Sequence, residues 1–300
     1  MKLVSFRNKG SEINRVGVVR DDRVIELSRA LGVDGMLSLI EGFEDVKQRI
    51  DSAETNSNQL TRTTDLEFLA PIKRPGKIIC LAGNYREHIK ESGFVAPESN
   101  DVITQQLFLK PSSAIIGHEG EILIGRANVR VGWETELAVI IGKRGRHISS
   151  EAALDHVFGY SILNDVSERG LNSKIENRRQ REMDKFLDWL GGKWFDTFAP
   201  FGPWIVTADE IDDPHDLEIK LTINGELRQH GNTRDMIFRI PEQIAYASSI
   251  MTLEPGDIIS TGTPAGAGLG GGSSSLQNGD SLVCEIEKIG ELKNTVRYTE

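Results

Sequence analysis

The segment "VGWETELAVIIG", residues 131–142, places the strongest constraint on the fold. Five consecutive apolar residues, Leu137 to Ile141, end at a glycine, which is typical of a buried β-strand. Two carboxylates, Glu134 and Glu136, stand at its start. Because side chains two apart on a strand point the same way, these like charges face one direction and repel each other. The chain must therefore fold around a buried strand that begins with a costly pair of charges.

The composition predicts a soluble globular protein. The 300 residues include 35 basic and 45 acidic side chains, a net charge of −10, and 38% are hydrophobic. An acidic balance argues against nucleic-acid binding, and no apolar run is long enough to span a bilayer. The N-terminus carries charges where a signal peptide needs an apolar core. We therefore expect a cytoplasmic protein without nucleic-acid or membrane partners, in which Cys80 and Cys284 are buried thiols.

The chain divides into two predicted domains. Residues 1–70 read as a small β-rich unit, with strands on either side of a turn at Asp21-Asp22. A polar stretch at 51–68, followed by Pro71 and Pro75, marks a boundary, and residues 71–300 form the larger unit. Strand patterns predominate in that unit without strict alternation with helices, so the predicted fold class is α+β.

Four segments of the larger unit have helical patterns: "NYREHIKESG", "SSEAALDHVFG", "SKIENRRQREMDKFLDWLGG" and "PEQIAYASSIMTL". The second has a serine at its predicted N-cap, and the fourth has Pro241 at a first helical position. Asn224-Gly225 predicts a two-residue hairpin. We expect the third segment, which is strongly charged, to form a long helix.

Glu134 and Glu136 have two interpretations. They are either a solvated strand end paired with basic residues or two ligands of a divalent metal, which favours carboxylate oxygens. Asp165, in "YSILNDVSERG", is the candidate third ligand, although it also suits the cap of the following turn. Three carboxylates would suit Mg²⁺ or Mn²⁺. Taken alone, the two glutamates favour the solvated interpretation.

His88 and Glu91 form a second constellation. They are three apart in a helical pattern and so share one face, where the carboxylate can orient the imidazole as a general base. The alternative is an exposed surface pair. Their helix follows directly on the apolar run "KIICLAG", and the exit of a buried strand is a common place for active-site groups.

Three cations and one threonine complete the candidates. Lys110 and Lys193 stand in apolar surroundings, where a cation is either part of a structural salt bridge or a clamp for a substrate anion. Arg169 follows Asp165 by four residues, so a local ion pair is its alternative role. Thr263 lies in a glycine-rich stretch that we expect to be a loop beside the site.

Six segments in register resemble the fumarylacetoacetate hydrolase superfamily. They are "LAGNYREHIKESG", "FLKPSSAIIG", "GWETELAVIIG", "GYSILNDVSERGLN", "KWFDTFAPFGPWIVT" and "LEPGDIISTGTPAG". The resemblance implies a mixed β-roll with layered β-sheets, a small N-terminal domain and a homodimer. It also implies an enzyme that acts on carbon–carbon bonds of 2-oxo or 2,4-dioxo acids with Mg²⁺ or Mn²⁺, or alternatively Ca²⁺.

The resemblance assigns roles to individual residues. Glu134, Glu136 and Asp165 match the metal ligands, His88 and Glu91 the catalytic pair on a lid, and Lys193 a lysine that engages the substrate. For substrate binding the resemblance matches Arg169 and Thr263. We add Asn172, which flanks the expected pocket, and Lys110, because of its apolar surroundings. Asn172 stands where animal members have a glutamine, and the segment between Asp165 and Lys193 is longer than in many members.

The implied reaction is hydrolysis of a carbon–carbon bond in a 2,4-dioxo acid such as an acylpyruvate or fumarylpyruvate. The metal stabilises the enolate that forms, and His88 activates water. Decarboxylation of an oxaloacetate-like acid, and hydration or isomerisation of a 2-oxo-enedioate, are the alternatives. A non-catalytic protein that binds an oxo acid is disfavoured, because no proposed ligand or base is replaced.

Overall fold

The computed structural model of the chain describes residues 1–54, 60–97, 103–125, 130–268 and 275–300. The first strands in this part of the chain are β1 (Lys2–Asn8), β2 (Arg15–Arg20), β3 (Arg23–Glu26), β4 (Leu60–Arg62), β5 (Leu66–Leu69), β6 (Ile78–Ala82), β7 (Gln106–Lys110), β8 (Ile115–Ile116), β9 (Glu121–Ile124) and β10 (Val131–Gly132). They are followed by β11 (Thr135–Ile141), β12 (Val157–Asn164), β13 (Ser167–Glu168), β14 (Ala199–Thr207), β15 (Glu218–Ile223), β16 (Glu226–Asn232), β17 (Ile258–Ser260), β18 (Ser281–Ile286) and β19 (Gly290–Tyr298).

The α-helices within the same ranges are α1 (Ser28–Leu31), α2 (Met36–Glu41), α3 (Phe43–Glu54), α4 (Arg86–Glu91), α5 (Asp184–Gly191) and α6 (Ile240–Ile250). Strands thus outnumber helices, and the predicted α+β class is confirmed. No helix among the described residues is long and apolar enough to cross a membrane.

Two large sheets form the layers of the fold. The larger has the order β4-β3-β2-β1-β14-β12-β11-β17-β6-β7, with β5 paired to β1 and β8 paired to β14. The smaller has the order β16-β15-β18-β19-β9. Most neighbours are antiparallel, but β17 runs parallel to β6, β19 to β9 and β8 to β14. A short ladder of β10 and β13 lies apart from both sheets. The predicted mixed and layered β-architecture is confirmed.

Strand β11 lies inside the larger sheet with both faces covered. Leu137 and Val139 pack in a cluster that includes Leu221 of the smaller sheet. Ala138 and Ile140 point to the opposite face, into a cluster that includes Leu39 of α2. Burial on both faces explains why the apolar run is uninterrupted rather than alternating. It also means that any charge on this strand is withdrawn from water.

The N-terminal strands form as predicted and join the main sheet. β2 and β3 are paired across the turn at Asp21-Asp22, and β1 pairs with β14 with Lys2 opposite Val206. The sheet is therefore continuous across residue 70, and an independent domain at 1–70 stays a prediction. Within the polar stretch that marked the boundary, residues 55–59 lie outside the described ranges.

Two helix predictions are wrong. Residues Ser150–His156 form a 3₁₀ helix, and Ser149 makes no side-chain cap. The charged segment at 173–192 is helical only over Asp184–Gly191. Its first half has no apolar stripe to bury, and most helical stability in proteins comes from packing such a face. The Asp184 carboxylate accepts the backbone N–H of Arg181 instead, which ends the irregular stretch.

The other local predictions are confirmed. α4 and α6 form at their predicted places, with a proline at the start of α6. β15 and β16 are joined as a hairpin at Asn224-Gly225, where both residues have positive φ. Cys80 and Cys284 are buried free thiols.

Candidate metal centre and active site

Three buried carboxylates converge where β11 begins and β12 ends. Antiparallel pairing places Thr135 opposite Asn164, and the Asp165 N–H donates to the Glu134 carbonyl oxygen at 2.8 Å. Asp165 is thereby held beside Glu134, although they lie far apart in the sequence. One carboxylate oxygen from each of Glu134, Glu136 and Asp165 lies within 4.8 Å of the others, and all three residues are at most 5% exposed. We call these three residues the carboxylate centre.

Three basic side chains contact the carboxylate centre. The Lys193 ammonium bridges Glu134 Oε2 at 2.9 Å and Asp165 Oδ2 at 2.6 Å. Lys110 donates to Asp165 Oδ1 at 2.7 Å, and Arg169 Nη2 donates to Glu134 Oε1 at 2.8 Å. Arg169 thus pairs with Glu134 rather than with Asp165, which was the alternative that its spacing suggested. Burial alone would raise the pKa of Glu134, but Lys193 and Arg169 outweigh it and hold the pKa well below its usual range.

Glu136 lacks a cationic partner among the described residues. Its Oε2 accepts the hydroxyl of Ser260 at 2.5 Å and the N–H of Gly262 at 2.9 Å. Burial, followed by repulsion from Asp165 and Glu134, raises the pKa of Glu136 to about 8. Without a further positive charge, the carboxylate centre therefore holds one of its members poorly as an anion.

The chemistry of this donor set fits a hard divalent cation. Three carboxylates with convergent oxygens suit Mg²⁺ or Mn²⁺, and their donor type also suits Ca²⁺. The ammonium of Lys193 shows that positive charge is already favoured between Glu134 and Asp165. A divalent cation near Glu136 would remove the repulsion that raises its pKa. Glu134, Glu136 and Asp165 are the residues that would hold it.

His88 and Glu91 lie together on α4, which follows β6 as predicted. His88 Nδ1 is 3.8 Å from Glu91 Oε2 and, although buried, has no hydrogen-bond partner among the described residues. Glu91 Oε2 instead accepts the N–H groups of Gly266 at 2.8 Å and Ala267 at 3.4 Å. Burial would raise the pKa of Glu91, but His88 and these two N–H groups together lower it. We call His88 and Glu91 the His–Glu pair.

The Gly266–Ala267 segment links the His–Glu pair to the carboxylate centre. Besides its contacts with Glu91, it accepts a hydrogen bond from Trp133 Nε1 to Gly266 O at 2.9 Å and one from Arg169 Nη2 to Ala267 O at 3.1 Å. Gly266 has a φ of +93°, and a Cβ there would lie 2.1 Å from the Arg228 carbonyl oxygen, so only glycine fits. The segment therefore connects the two groups through fixed backbone contacts.

The two groups face one cavity of about 1200 Å³. Of the residues assigned above, those that line it are His88, Glu91, Glu134, Glu136, Arg169, Asn172, Lys193 and Thr263. Asp165 and Lys110 lie behind this lining, at 1% and 3% exposure. The structure therefore brings ten predicted site residues into one region, and eight of them reach the cavity surface.

The four residues predicted to bind substrate differ in placement. Lys110 donates to Asp165 and to the Val166 carbonyl oxygen, a geometry that positions a carboxylate and leaves no exposed ammonium. Thr263 is held between Gln229 and the Thr135 carbonyl oxygen. Asn172 donates to Asp188 at 2.7 Å, and Arg169 is committed to Glu134 and Ala267. The substrate contacts of these residues stay predictions.

Several residues of the site were missed by the sequence reasoning. Ser260 and Gly262 hold Glu136, and Arg130 lines the cavity. Gln229 accepts the Thr135 backbone N–H and donates to the Thr263 hydroxyl. Ser260 ends β17 and Gly262 lies two residues beyond it, and polar residues at the exit of an apolar strand were the available signal. Gln229 lies in a hairpin strand with no local cue. Gly132 was also missed, where a Cβ would come within 2.5 Å of Arg169 Nε.

Comparisons with known proteins agree with this site. A family model described as fumarylacetoacetate (FAA) hydrolase C-terminal matches residues 77–297. Oxaloacetate tautomerase fahd2, mitochondrial, from Xenopus laevis is 38% identical over 304 residues, covering 99% of this chain and 90% of that protein.

Solved structures are similar over the whole chain. The crystal structure of maleylpyruvate hydrolase from Sphingobium sp. SYK-6 in complex with manganese(II) ion and pyruvate has a TM-score of 0.81 and 33% identity, covering 100% of both chains. That of 5-carboxymethyl-2-hydroxymuconate delta-isomerase from Mycobacterium smegmatis has a TM-score of 0.75 and 29% identity, again covering 100% of both.

The names of these relatives give three different reactions. What the comparisons agree on is the family and the fold. The extent of the match confirms the resemblance found in the six sequence segments. The chain belongs to the fumarylacetoacetate hydrolase family.

Proposed function

We propose that this protein is a divalent-metal-dependent hydrolase that cleaves a carbon–carbon bond in a 2,4-dioxo acid. The observation that carries the proposal is the carboxylate centre, in which Glu134 and Glu136 line the same cavity as the His–Glu pair and Asp165 lies directly behind them. The Nδ1 atom of the His88 imidazole has no hydrogen-bond partner among the described residues. A metal site beside such an imidazole suits a reaction that needs both charge stabilisation and proton transfer. Bound Mg²⁺ or Mn²⁺ would act as a Lewis acid and stabilise the enolate released when the bond breaks.

The charges around the carboxylate centre support an anionic substrate. Lys110, Lys193 and Arg169 each contact a carboxylate, so positive and negative side chains balance among the described residues of the centre. A divalent ion would leave an excess of two positive charges in a buried place. A 2-oxo acid that carries a carboxylate and develops an enolate would neutralise both.

The proton transfer falls to the His–Glu pair. His88 lines the cavity, and its Nδ1 atom makes no hydrogen bond, as donor or acceptor, with another described residue. A neutral imidazole in this place accepts the proton of a water molecule that attacks the distal carbonyl carbon. Glu91, whose lowered pKa keeps it ionised, stabilises the imidazolium that results. The longer His88–Glu91 distance does not exclude this role, because catalytic hydrogen bonds often tighten only with substrate present.

A second candidate is keto–enol chemistry on an oxaloacetate-like acid, as tautomerisation or decarboxylation. The Xenopus laevis relative is an oxaloacetate tautomerase and matches nearly the whole chain, which favours this candidate. Isomerisation of a 2-oxo-enedioate is compatible with the same site. These reactions would need a divalent cation held at the carboxylate centre to stabilise an enolate, but they need no attacking water. A cavity of about 1200 Å³ has room for a substrate larger than oxaloacetate, which favours the hydrolase.

The test is a panel of acetylpyruvate, fumarylpyruvate, oxaloacetate and a 2-oxo-enedioate, each with Mg²⁺, Mn²⁺ or EDTA. We expect the highest kcat/KM with a 2,4-dioxo acid and Mn²⁺ or Mg²⁺. Turnover that survives complete metal removal would contradict the metal role. Turnover of oxaloacetate alone, without loss in a His88→Gln variant, would replace hydrolysis by the second candidate. Binding of an oxo acid without turnover of any panel member would indicate a non-catalytic protein.

We further infer a cytoplasmic homodimer. The reduced thiols of Cys80 and Cys284, both buried, support a reducing compartment. The homodimer rests on the family resemblance. Cell fractionation and light scattering test these two inferences separately from the reaction.

A further inference from the structure

Arg130 lines the cavity next to Arg169, and its positive charge has no role in the site described above. It immediately precedes β10, which pairs with β13, and its carbonyl oxygen accepts the Arg169 N–H at 2.7 Å. The two arginines are thus neighbours across a short antiparallel ladder, and both line the cavity. Arg169 is committed to the carboxylate centre through Glu134. Arg130 has no such commitment.

The guanidinium of Arg130 lacks a partner within the described part of the chain. Its Nε is buried and makes no hydrogen bond. Arg178, which also lines the cavity, is by contrast paired with Asp188 and Asp184. A buried donor left unpaired is unfavourable, and such a group at a cavity wall is satisfied when a ligand binds. The geometry therefore indicates a ligand that accepts hydrogen bonds at Arg130.

The nearest acidic side chain to the Arg130 backbone is already engaged. Glu168 accepts the N–H groups of Arg130 and Gly170 through one carboxylate oxygen. Those contacts reduce the repulsion that Glu168 would exert on an incoming anion. A planar guanidinium presents parallel N–H groups that match a carboxylate, which makes a carboxylate the chemistry that Arg130 suits best.

We propose that Arg130 forms a second anion subsite, which binds a carboxylate at the end of the substrate remote from the carboxylate centre. The inference rests on the proposed function and narrows its substrate class to dicarboxylic oxo acids. The oxo-acid end is neutralised at the carboxylate centre, so the unpaired Nε–H of Arg130 is available to a second carboxylate of the substrate. Arg130 then selects dicarboxylic over monocarboxylic substrates.

Lys185 on α5 provides a matched control. It lines the same cavity, but its side chain is exposed, whereas Arg130 is partly buried. Solvent screens an exposed ammonium, so its loss affects a bound carboxylate less than the loss of a desolvated guanidinium. Arg130→Gln and Lys185→Gln each remove one positive charge from the cavity. The two variants therefore separate a specific subsite from the general positive charge of the cavity.

The kinetic experiment uses the Mn²⁺-loaded protein with fumarylpyruvate, which is dicarboxylic, and acetylpyruvate, which is monocarboxylic. Arg130→Gln is expected to raise KM for fumarylpyruvate by about 10- to 100-fold, the loss of one charge-assisted contact, and to change KM for acetylpyruvate less than about twofold. Lys185→Gln is expected to change both by less than about threefold. An equal rise for both substrates in Arg130→Gln, or a larger selective effect in Lys185→Gln, would overturn the proposal.

A binding experiment separates this proposal from the proposed function. Calorimetry with the Mn²⁺-loaded protein compares 2-oxoglutarate, which has two carboxylates, with pyruvate, which has one. Wild type is expected to bind 2-oxoglutarate more tightly, and Arg130→Gln to remove that preference while keeping pyruvate and Mn²⁺ affinities. If no panel member is turned over but this preference disappears in Arg130→Gln, the subsite stands and the hydrolase proposal fails. Equal affinities in wild type would refute the subsite.

Discussion

The carboxylate centre and the His–Glu pair face one cavity but are built in opposite ways. The first lies at the ends of β11 and β12 in the middle of the larger sheet, and its contacts to Lys193, Arg169 and Lys110 are 2.6–2.9 Å long. The second lies on a helix of six residues, with side chains 12% and 23% exposed and 3.8 Å apart. One group is fixed before any ligand arrives, and the other is loosely paired.

The difference follows from what each group has to do. Charge stabilisation is strongest when donors and charges are in place beforehand and need no reorganisation. A general base must meet a water molecule and a substrate whose positions vary, so a short helix at a strand exit suits it. The Gly266–Ala267 segment contacts Glu91 directly and the carboxylate centre through Arg169, which pairs with Glu134, and so fixes the position of one group relative to the other.

The largest expected effect is at the carboxylate centre. Glu136→Gln keeps the shape of the side chain but removes an anionic oxygen ligand. We expect Mn²⁺ affinity to fall at least about 100-fold and kcat/KM by about 1000-fold, measured by calorimetry and steady-state kinetics. Glu285→Gln, on the exposed face of β18, is the control and should change neither. Unchanged Mn²⁺ affinity in Glu136→Gln would contradict the assignment of this ligand.

A smaller and more selective effect is expected at the His–Glu pair. His88→Gln removes the proposed base, so hydrolysis of a 2,4-dioxo acid should fall about 100- to 1000-fold while Mn²⁺ affinity changes less than about threefold. The same substitution at the exposed His147 serves as the control. If His88→Gln weakened Mn²⁺ binding as much as hydrolysis, the two groups would not be separable.

The metal-free protein should lose stability as the pH rises towards about 8 because of Glu136. Its pKa is raised to about 8 in the folded state, so its contribution is complete below the unfolded pKa and is lost progressively as the pH rises from there through about 8. We expect a loss on the order of a few kcal/mol, read from unfolding midpoints with EDTA. Mn²⁺ at about 100 times its Kd should add about 2.7 kcal/mol to wild type and far less to Glu136→Gln. A pH-independent midpoint in EDTA would speak against the raised pKa.

The smallest effect is expected at Glu91. Its lowered pKa means that the anchoring of α4 to Gly266 and Ala267 is present above the unfolded pKa and is lost as pH falls through the folded one. The protection factors of the α4 amides against hydrogen exchange, which correct for the intrinsic rate at each pH, should therefore fall as the pH falls through the folded pKa of Glu91. Glu91→Gln should accelerate this exchange at neutral pH and lower kcat/KM by up to about tenfold.

Glu87→Gln on the same helix is the matched control for this measurement. Glu87 is exposed and pairs only locally with Lys90, so its loss should leave exchange of the helix unchanged. Equal acceleration in both variants would mean that Glu91 acts through general helix stability.

Much of the fold could be predicted because the order of apolar and polar residues within a short segment indicates which of its side chains are buried. The apolar run of β11, the Asn224-Gly225 hairpin and the start of α6 each depend on neighbouring residues, and each forms where predicted. The charged segment before α5 shows the limit of such patterns. Its charges fit a helix, but with no apolar face to pack, only Asp184–Gly191 becomes helical.

The pattern of residues 131–142 was enough to predict that Glu134 and Glu136 stand at the start of a buried strand, and the six family segments indicated their partners. How those partners meet depends on long-range contacts of the folded chain. The pairing of β11 with β12 brings Asp165 to Glu134, long-range packing buries Lys110 behind Asp165, and the β10–β13 ladder sets Arg130 beside Arg169. Periodicity records which side of an element is buried but not which distant element covers it, so these contacts depend on the folded chain.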